Sequence, residues 1–350
     1  MSSRLNSLFI RVVAASIALL GASCQARQSE TWRDSDPTYV PFAVKEIAPA
    51  AGNRFVGLTV DERPKDQSQT LASDFVVYVL DLKTGAHRRL GMNGEIIPTG
   101  DDQFIYLESG RSSKPAILIN GLDSVRTLQI GEHNGGSWNP RTKSIIFEKG
   151  WPRDAEGFNV LGLLDPTTGA IVTTPVRETS ELVGICPATG NFYTEHRFSS
   201  DELGADEYES NGKFLRTNQS PLAVYSAACT YALPFAAIGL HGPDDWGVYE
   251  TRSGDKLIDY PWNEDGDTDL HWFRAWNPRR DNLLLMYSTL AATKIDTIDV
   301  LDVSKRSIVK SWPHPEEAAP IEWTNDGEAV ITVRDNHVVV EPIAVTSSKP

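Results

Sequence analysis

Short apolar runs recur along the chain, each set off by a cluster of small and polar residues. Leu283-Leu284-Leu285-Met286 follows Asn277-Pro278-Arg279-Arg280-Asp281. Ile145-Ile146-Phe147 follows Asn139-Pro140-Arg141, and Ala329-Val330-Ile331 follows Thr324-Asn325-Asp326-Gly327. An apolar run this short, bounded by turn formers, predicts a β-strand. Its lack of alternation predicts a strand covered on both faces. A tryptophan opens each of the three stretches: Trp276, Trp138 and Trp323. The same turn can be placed near Gly52, Gly100, Pro140, Ala188, Thr230, Pro278 and Asp326, in steps of 40 to 48 residues. That period is the length of a four-stranded propeller blade.

A second landmark keeps phase with the first. Val76–Asp81 runs into Lys83-Thr84-Gly85, and 160–165 into Thr167-Thr168-Gly169. Residues 247–250 run into Ser253-Gly254, and 298–302 into Ser304-Lys305. An acidic side chain there can bond its own backbone two residues on, and glycine takes the positive φ of a tight turn. The pattern predicts an all-β chain: a seven-bladed β-propeller of four-stranded antiparallel blades over residues 43–350, behind a linker at 24–42. The seventh unit has little chain left for a fourth strand. Residues 38–42 are expected to supply it, since an open ring leaves an unpaired edge. The three tryptophans read as large rings wedged between adjacent blades. Cys186 and Cys229 hold the tryptophan's place in the fourth and fifth units. They read either as a disulfide or as two buried thiols, because equivalent side chains point the same way round a ring and their Cβ atoms need not converge.

The Trp-Asn-Pro and Trp-Thr-Asn-Asp-Gly turns, with the Asp-x-x-Thr-Gly turn, resemble those of TolB-like and WD-repeat β-propellers, over roughly residues 43–345. The resemblance implies the fold and no particular activity. The separate N-terminal domain of periplasmic TolB proteins has no counterpart here, nor has the Trp-Asp ending of WD repeats. In such propellers the loops between second and third strands share one end with the loops joining successive blades, and ligands are met there.

The N-terminus changes the picture of where the chain works. Arg4 and Arg11 flank an uncharged stretch, Val12 to Leu20, followed by Gly21-Ala22-Ser23-Cys24. A basic start, a short apolar core and small residues form an export signal over residues 1–23. The stretch is too short to span a membrane as a helix. Its end resembles a bacterial lipobox, with Gly21 where that family usually has Leu. Cys24 is the expected lipidation site, and the expected place is the periplasm or the outer membrane through a lipid anchor. The formal net charge is −14, and losing Arg4 and Arg11 makes it two units more negative. Such a chain repels polyanions, which excludes nucleic acid as an expected partner.

Candidate chemistry is sparse. Reading the expected ligand-binding loops yields Arg63, Arg111, Trp151, Arg153, His196, Arg197, His241, Trp246, His271 and Arg274, beside acids such as Asp61, Glu62, Asp154, Glu195 and Asp245. Mixed charge with aromatics is the composition of a recognition surface. Solvated or mutually paired loop residues are the simpler reading. His196, His241 and His271 with Glu195 would suit zinc, but no short fixed spacing supports a metal. Asp265, Asp267 and Asp269 alternate as calcium ligands do, with the glycine misplaced. Residues 201–209 read as a long acidic loop. No phosphate loop, nucleotide fingerprint or nucleophile turn is present, and no cofactor is expected. The expected function is non-catalytic: an envelope binding or scaffold protein that recognises a protein or peptide partner through its loop face. The alternative is a propeller-type lactonase or hydrolase with a metal or His/acid site in the mouth.

Overall fold

The computed structural model describes residues 30–32, 36–50, 52–63, 75–100, 102–108, 114–149, 159–177, 182–197, 203–218, 224–227, 229–234, 247–251, 253–259, 270–290, 295–313 and 320–343. At 30–31, 134, 159, 197, 203–204, 218, 224–227, 231–234, 270–274, 289–290 and 295–296 it describes the backbone alone. The chain beyond residue 30 is one compact unit.

Its strands fall into sheets in strict sequence order. The first holds β1 (Glu30–Thr31), β2 (Ala43–Pro49), β3 (Phe55–Asp61), β4 (Val76–Asp81) and β5 (Ala86–Met92), in the order β1-β5-β4-β3-β2. Next come β6 (Gly94–Gly100), β7 (Gln103–Glu108), β8 (Ala116–Asn120) and β9 (Asp123–Leu128), then β10 (His133–Asn139), β11 (Ser144–Lys149), β12 (Asn159–Leu164) and β13 (Ile171–Val176). The fourth sheet is β14 (Leu182–Ile185), β15 (Phe192–Arg197), β16 (Leu203–Tyr208) and β17 (Phe214–Asn218). The fifth is β18 (Val224–Ala227), β19 (Tyr231–Pro234), β20 (Gly247–Glu250) and β21 (Lys256–Asp259). The sixth is β22 (Leu270–Trp276), β23 (Leu283–Leu290), β24 (Ile295–Asp302) and β25 (Ser307–Pro313). The last sheet is β26 (Ile321–Trp323), β27 (Ala329–Arg334) and β28 (His337–Pro342).

The expectation of seven four-stranded blades is corrected by these strand orders. Six blades carry four consecutive strands, and the C-terminal sheet stops at three. The physical reason lies at the edge of β28. Val338 N–H donates to the Thr38 carbonyl at 2.9 Å, and Val40 N–H to the Asn336 carbonyl at 2.7 Å. The stretch from 38 to 40 thus occupies that edge as a single bridge, Tyr39 against His337.

Why the strands bury as they do follows from their place in the blade. First strands contact first strands across neighbouring sheets: β2 touches β6, β6 touches β10, β14 touches β18, β22 touches β26, and β26 returns to β2. Second strands lie between two covered faces, so β3 is buried throughout and β27 is buried from Ala329 to Val333. Each Val, Leu or Ile so covered contributes roughly 1.5–3 kcal/mol. Fourth strands form the outer rim, so β9 and β25 are exposed over their first five residues.

The repeated turns hold as local chemistry. Asn139 Oδ1 accepts from the backbone N–H groups of Arg141 and Thr142 at 3.1 and 3.3 Å, closing its own turn. Its Nδ2 donates to the Gly190 carbonyl, 2.8 Å away in the next blade. Asn277 repeats both halves, accepting from Arg279 and Arg280 at 2.9 Å and donating to Gly327 at 2.9 Å. The other turn also behaves as its sequence implies: Asp165 accepts from Thr167 N–H at 2.8 Å, and Gly169 sits at φ 79°. The hydrogen bond from the Thr168 side chain leads the effects that hold Asp165 below the usual carboxylate range.

Candidate functional site

The first strands enclose a cavity of about 930 Å³ on the ring axis. Its described walls come from β6, β10, β14, β22 and β26 and from the turns that follow them. Trp138 with Pro140 and Trp276 with Pro278 stand in its wall, contributed by two different blades. Lys143 and Arg279 add cations beside those turns, while Glu95 and Glu322 contribute carboxylates from β6 and β26. A second cavity of about 220 Å³ adjoins it and shares Glu95, Gly136, Ser137 and Leu182.

The tryptophan slot is therefore used in two ways. Trp323 is 2% exposed and donates its Nε1 proton to the Ala275 carbonyl of the neighbouring blade at 3.0 Å, as a wedge should. Trp138 and Trp276 are only half-buried and turn part of their surface to the cavity. The wedge reading holds for Trp323, whereas the other two also line the cavity.

Glu95 is an acid of the cavity with a strongly perturbed carboxyl. It follows Gly94 at the start of β6, where the strand otherwise reads Ile96-Ile97-Pro98. Its carboxylate accepts a hydrogen bond from the Gly136 N–H. That donor is presented by an irregularity in β10, where the register shifts between Asn134 and Ser137. Gly135 there sits at φ 56°, a left-handed conformation that costs a side-chain-bearing residue, and a Cβ on it would stand 3.7 Å from Glu95 Oε2. A Cβ on Gly136 would meet Ile97 and Leu107 at 3.0 Å, so glycine allows the close approach. Burial, reinforced by the Glu46 carboxylate on β2, pushes the Glu95 carboxyl up to about 7, against the smaller opposing effect of the Gly136 donor. The residue keeps some accessible surface because it borders the cavity. A carboxyl poised near neutrality in a concave site marks a functional candidate.

The residues singled out from the sequence fare differently. Arg63 lies just past β3 and grips Asp61 with two hydrogen bonds of 2.9 Å. This bidentate pairing is the first cause holding the buried Asp61 below the usual carboxylate range. Glu62 accepts from the Tyr78 hydroxyl and pairs with Arg89 at 3.3 Å. His196 ends near the tip of β15 and meets Asp206 at 3.2 Å, while Thr217 donates to the same carboxylate at 2.6 Å. Asp206 and Glu207 lie buried within β16, which corrects the long acidic loop expected at 201–209. The pairing of that stretch on both sides supplies the reason: Asp206 meets His196 on β15 and Thr217 on β17, and Glu207 takes Arg216 on β17 at 2.6 Å. Arg197, His271 and Arg274 are placed on β15 and β22 by their backbones only. Arg111, Trp151, Arg153, His241, Trp246, Cys24 and the Asp265–Asp267–Asp269 set lie outside the described residues. Among the described residues, no group of three His, Cys, Asp or Glu side chains is placed to hold a metal ion.

Cys186 and Cys229 are bonded, with Cα atoms 4.5 Å apart. Both lie in turns just past β14 and β18, where the pleat no longer dictates which way a side chain points. Sequence reasoning missed Glu95 and its bulge. The available signals were a lone glutamate in an otherwise apolar strand and the Gly135-Gly136 pair beside it.

Solved structures similar to this chain share its architecture. Hydrazine synthase of Kuenenia stuttgartiensis matches with a TM-score of 0.52 at 11% identity, covering 90% of this chain and 99% of that one. The Pan2 WD40 domain of Neurospora crassa matches with a TM-score of 0.51 at 11% identity, covering 87% and 90%. The chain is a β-propeller. A third relative in shape is the propeller domain of the Trilobed protease from Pyrococcus furiosus, with a TM-score of 0.51 at 10% identity, covering 86% and 95%. At these identities the likeness carries the fold alone, and one propeller can host many chemistries. No protein-family model and no curated protein matches the sequence.

Proposed function

We propose that this propeller is a non-catalytic binding protein of the bacterial envelope that holds a protein or peptide partner at an end of its ring. The observation that carries the reading is the convergence of half-buried Trp138 and Trp276, from separate blades, on one cavity of about 930 Å³. Rigid aromatic surface in a concave site with a few polar groups is how proteins concentrate binding energy. Export and lipidation at Cys24 belong to the same proposal and rest on residues 1–24. The loop-end set remains part of it through Arg111, Arg153, Arg197 and Arg274. Arg63 contributes less there, because Asp61 already engages it.

Selection of peptides from a random library on the immobilised mature chain, followed by calorimetry, tests the reading. Trp276→Ala is expected to weaken a selected peptide about tenfold, a loss of about 1.4 kcal/mol. Trp323→Ala, which removes a buried wedge, is expected to cost roughly 3–5 kcal/mol of stability instead. A library that yields no peptide binding below about 1 mM counts against the proposal. Hydrolysis of a generic ester or peptide by the wild type and not by Glu95→Gln favours the hydrolase alternative, with Glu95 as its acid or base.

A further inference from the structure

The channel beside β6 is deep and its charge is uneven. Glu95 and Gly100 both line it, five residue steps apart along an extended strand, a depth of about 17 Å. A free small molecule would fill only part of such a depth, whereas an extended chain segment matches it. At the Gly100 level stand the turns that follow the first strands, with Pro140 and Pro278 next to the half-buried tryptophans. At the Glu95 level the wall is acidic. Glu46 on β2 lies close enough for its charge to act on Glu95, and Glu148 on β11 lines the adjoining cavity. From β10 the facing group is the Gly136 N–H. Among the described residues, none of the lysines, arginines or histidines pairs with the Glu95 carboxylate.

An acid held among other acids, with one backbone donor and no cation of the described residues paired with it, lacks the partner that normally accompanies a buried charge. The strong negative charge of the whole chain raises the local concentration of cations still further. Indole faces in the same cavity attract ammonium and guanidinium groups while accepting their aliphatic stems. We infer that the cavity admits an extended basic segment of the partner and seats one lysine or arginine side chain against Glu95. This inference rests on the binding reading above and narrows it to a cationic peptide.

Three blocked peptides of about seven residues, long enough to span the channel when extended, test it by calorimetry on the full mature chain at pH 8 and low salt. They share a Gly-Ser frame and carry one central lysine, acetyl-lysine or glutamate. The lysine peptide is expected to bind at least about tenfold more tightly than the other two. Glu95→Gln is expected to bring the lysine and acetyl-lysine peptides within about twofold of each other, with a melt no lower than that of the wild type. Trp138→Ala is expected to weaken both. Equal binding of lysine and acetyl-lysine peptides by the wild type overturns the cationic seat and leaves the binding reading standing. Retention of the lysine preference in Glu95→Gln overturns the assignment to Glu95. No binding by any of the three overturns the inference, while the random-library selection separately decides the broader reading.

Discussion

Two seams of the ring are closed by opposite means. Where the last sheet meets the first, no covalent link exists among the described residues. The seam is held by the backbone bonds of Thr38 and Val40 to the last sheet. Asn325 Nδ2 adds a bond to the Pro49 carbonyl at 2.7 Å, and Asn53 Nδ2 one to Asp326 at 3.0 Å. A shared core lies beneath them, in which Val40, Val44 and Val60 pack with Ile331, Val333 and Val338. Where the fourth sheet meets the fifth, Cys186 and Cys229 tie the two turns covalently. Among the described side chains, Val183, Cys186, Tyr193 and Ala205 are buried around that bond, with Cys229 packed against them. The contrast teaches that one junction of a ring can be held by backbone bonds over packed valines while another is also tied covalently.

The seam between the ends should be the easier to break. Val40 is fully buried at its centre. Val40→Asp places an unpaired carboxylate there and is expected to cost about 5 kcal/mol or to prevent folding. Urea denaturation followed by tryptophan fluorescence measures it; a loss below about 1 kcal/mol would show that residues 38–40 lie on the sheet without closing it. The covalent seam comes next. A bond across a sequence separation of 43 residues is worth about 4 kcal/mol by chain entropy. Cys186→Ala with Cys229→Ala is expected to lower stability by that order. The melt of the wild type in reductant should fall to meet the double variant, and a wild-type melt indifferent to reductant would contradict a stabilising bond.

The smallest effect is expected at a third seam, between the first and second sheets, where Glu46 and Glu95 repel. The folded protein holds the Glu95 proton up to about pH 7, while the unfolded chain loses it near the ordinary value of 4.5. Between those values the folded state binds more protons, so stability falls as pH rises through the window. Glu95→Gln removes the penalty. It is expected to match the wild type near pH 4 and to exceed it at pH 8 by at most about 3 kcal/mol. Paired denaturant melts at the two pH values check it. A destabilised Glu95→Gln at pH 8 would mean that the carboxylate is held by a cation of the protein itself.

What the sequence made legible was whatever repeats locally. The turns near Pro140, Pro278 and Asp326 were readable because each is closed by its own asparagine or aspartate within a few residues. What depended on distant neighbours was not. The three-stranded last sheet follows from residues 38–40 reaching its edge across almost the whole chain. Trp323 and Trp276 carry the same local signature yet differ in exposure. Glu95 owes its raised pKa first to burial and then to Glu46, against the opposing Gly136 donor, and those two residues lie on two other blades. The arginine set at the loop end was readable as composition, but Arg63 shows that a neighbour two residues away can already engage such a side chain.

The turn asparagines that bond to the next blade have a consequence for how such a chain can be cut or lengthened. Asn139 and Asn277 each complete their own turn and then donate to the turn of the blade that follows; in the last sheet Asp326 closes the turn, and Asn325 donates across the junction of the ends to Pro49 at the end of β2. In an open stack of repeats, the last unit of such a series would point a donor at nothing, and a specialised capping repeat would have to cover it. A circle has no last unit. The propeller can therefore carry the bond over its final junction with a variant of the interior turn, and its first blade serves as the cap.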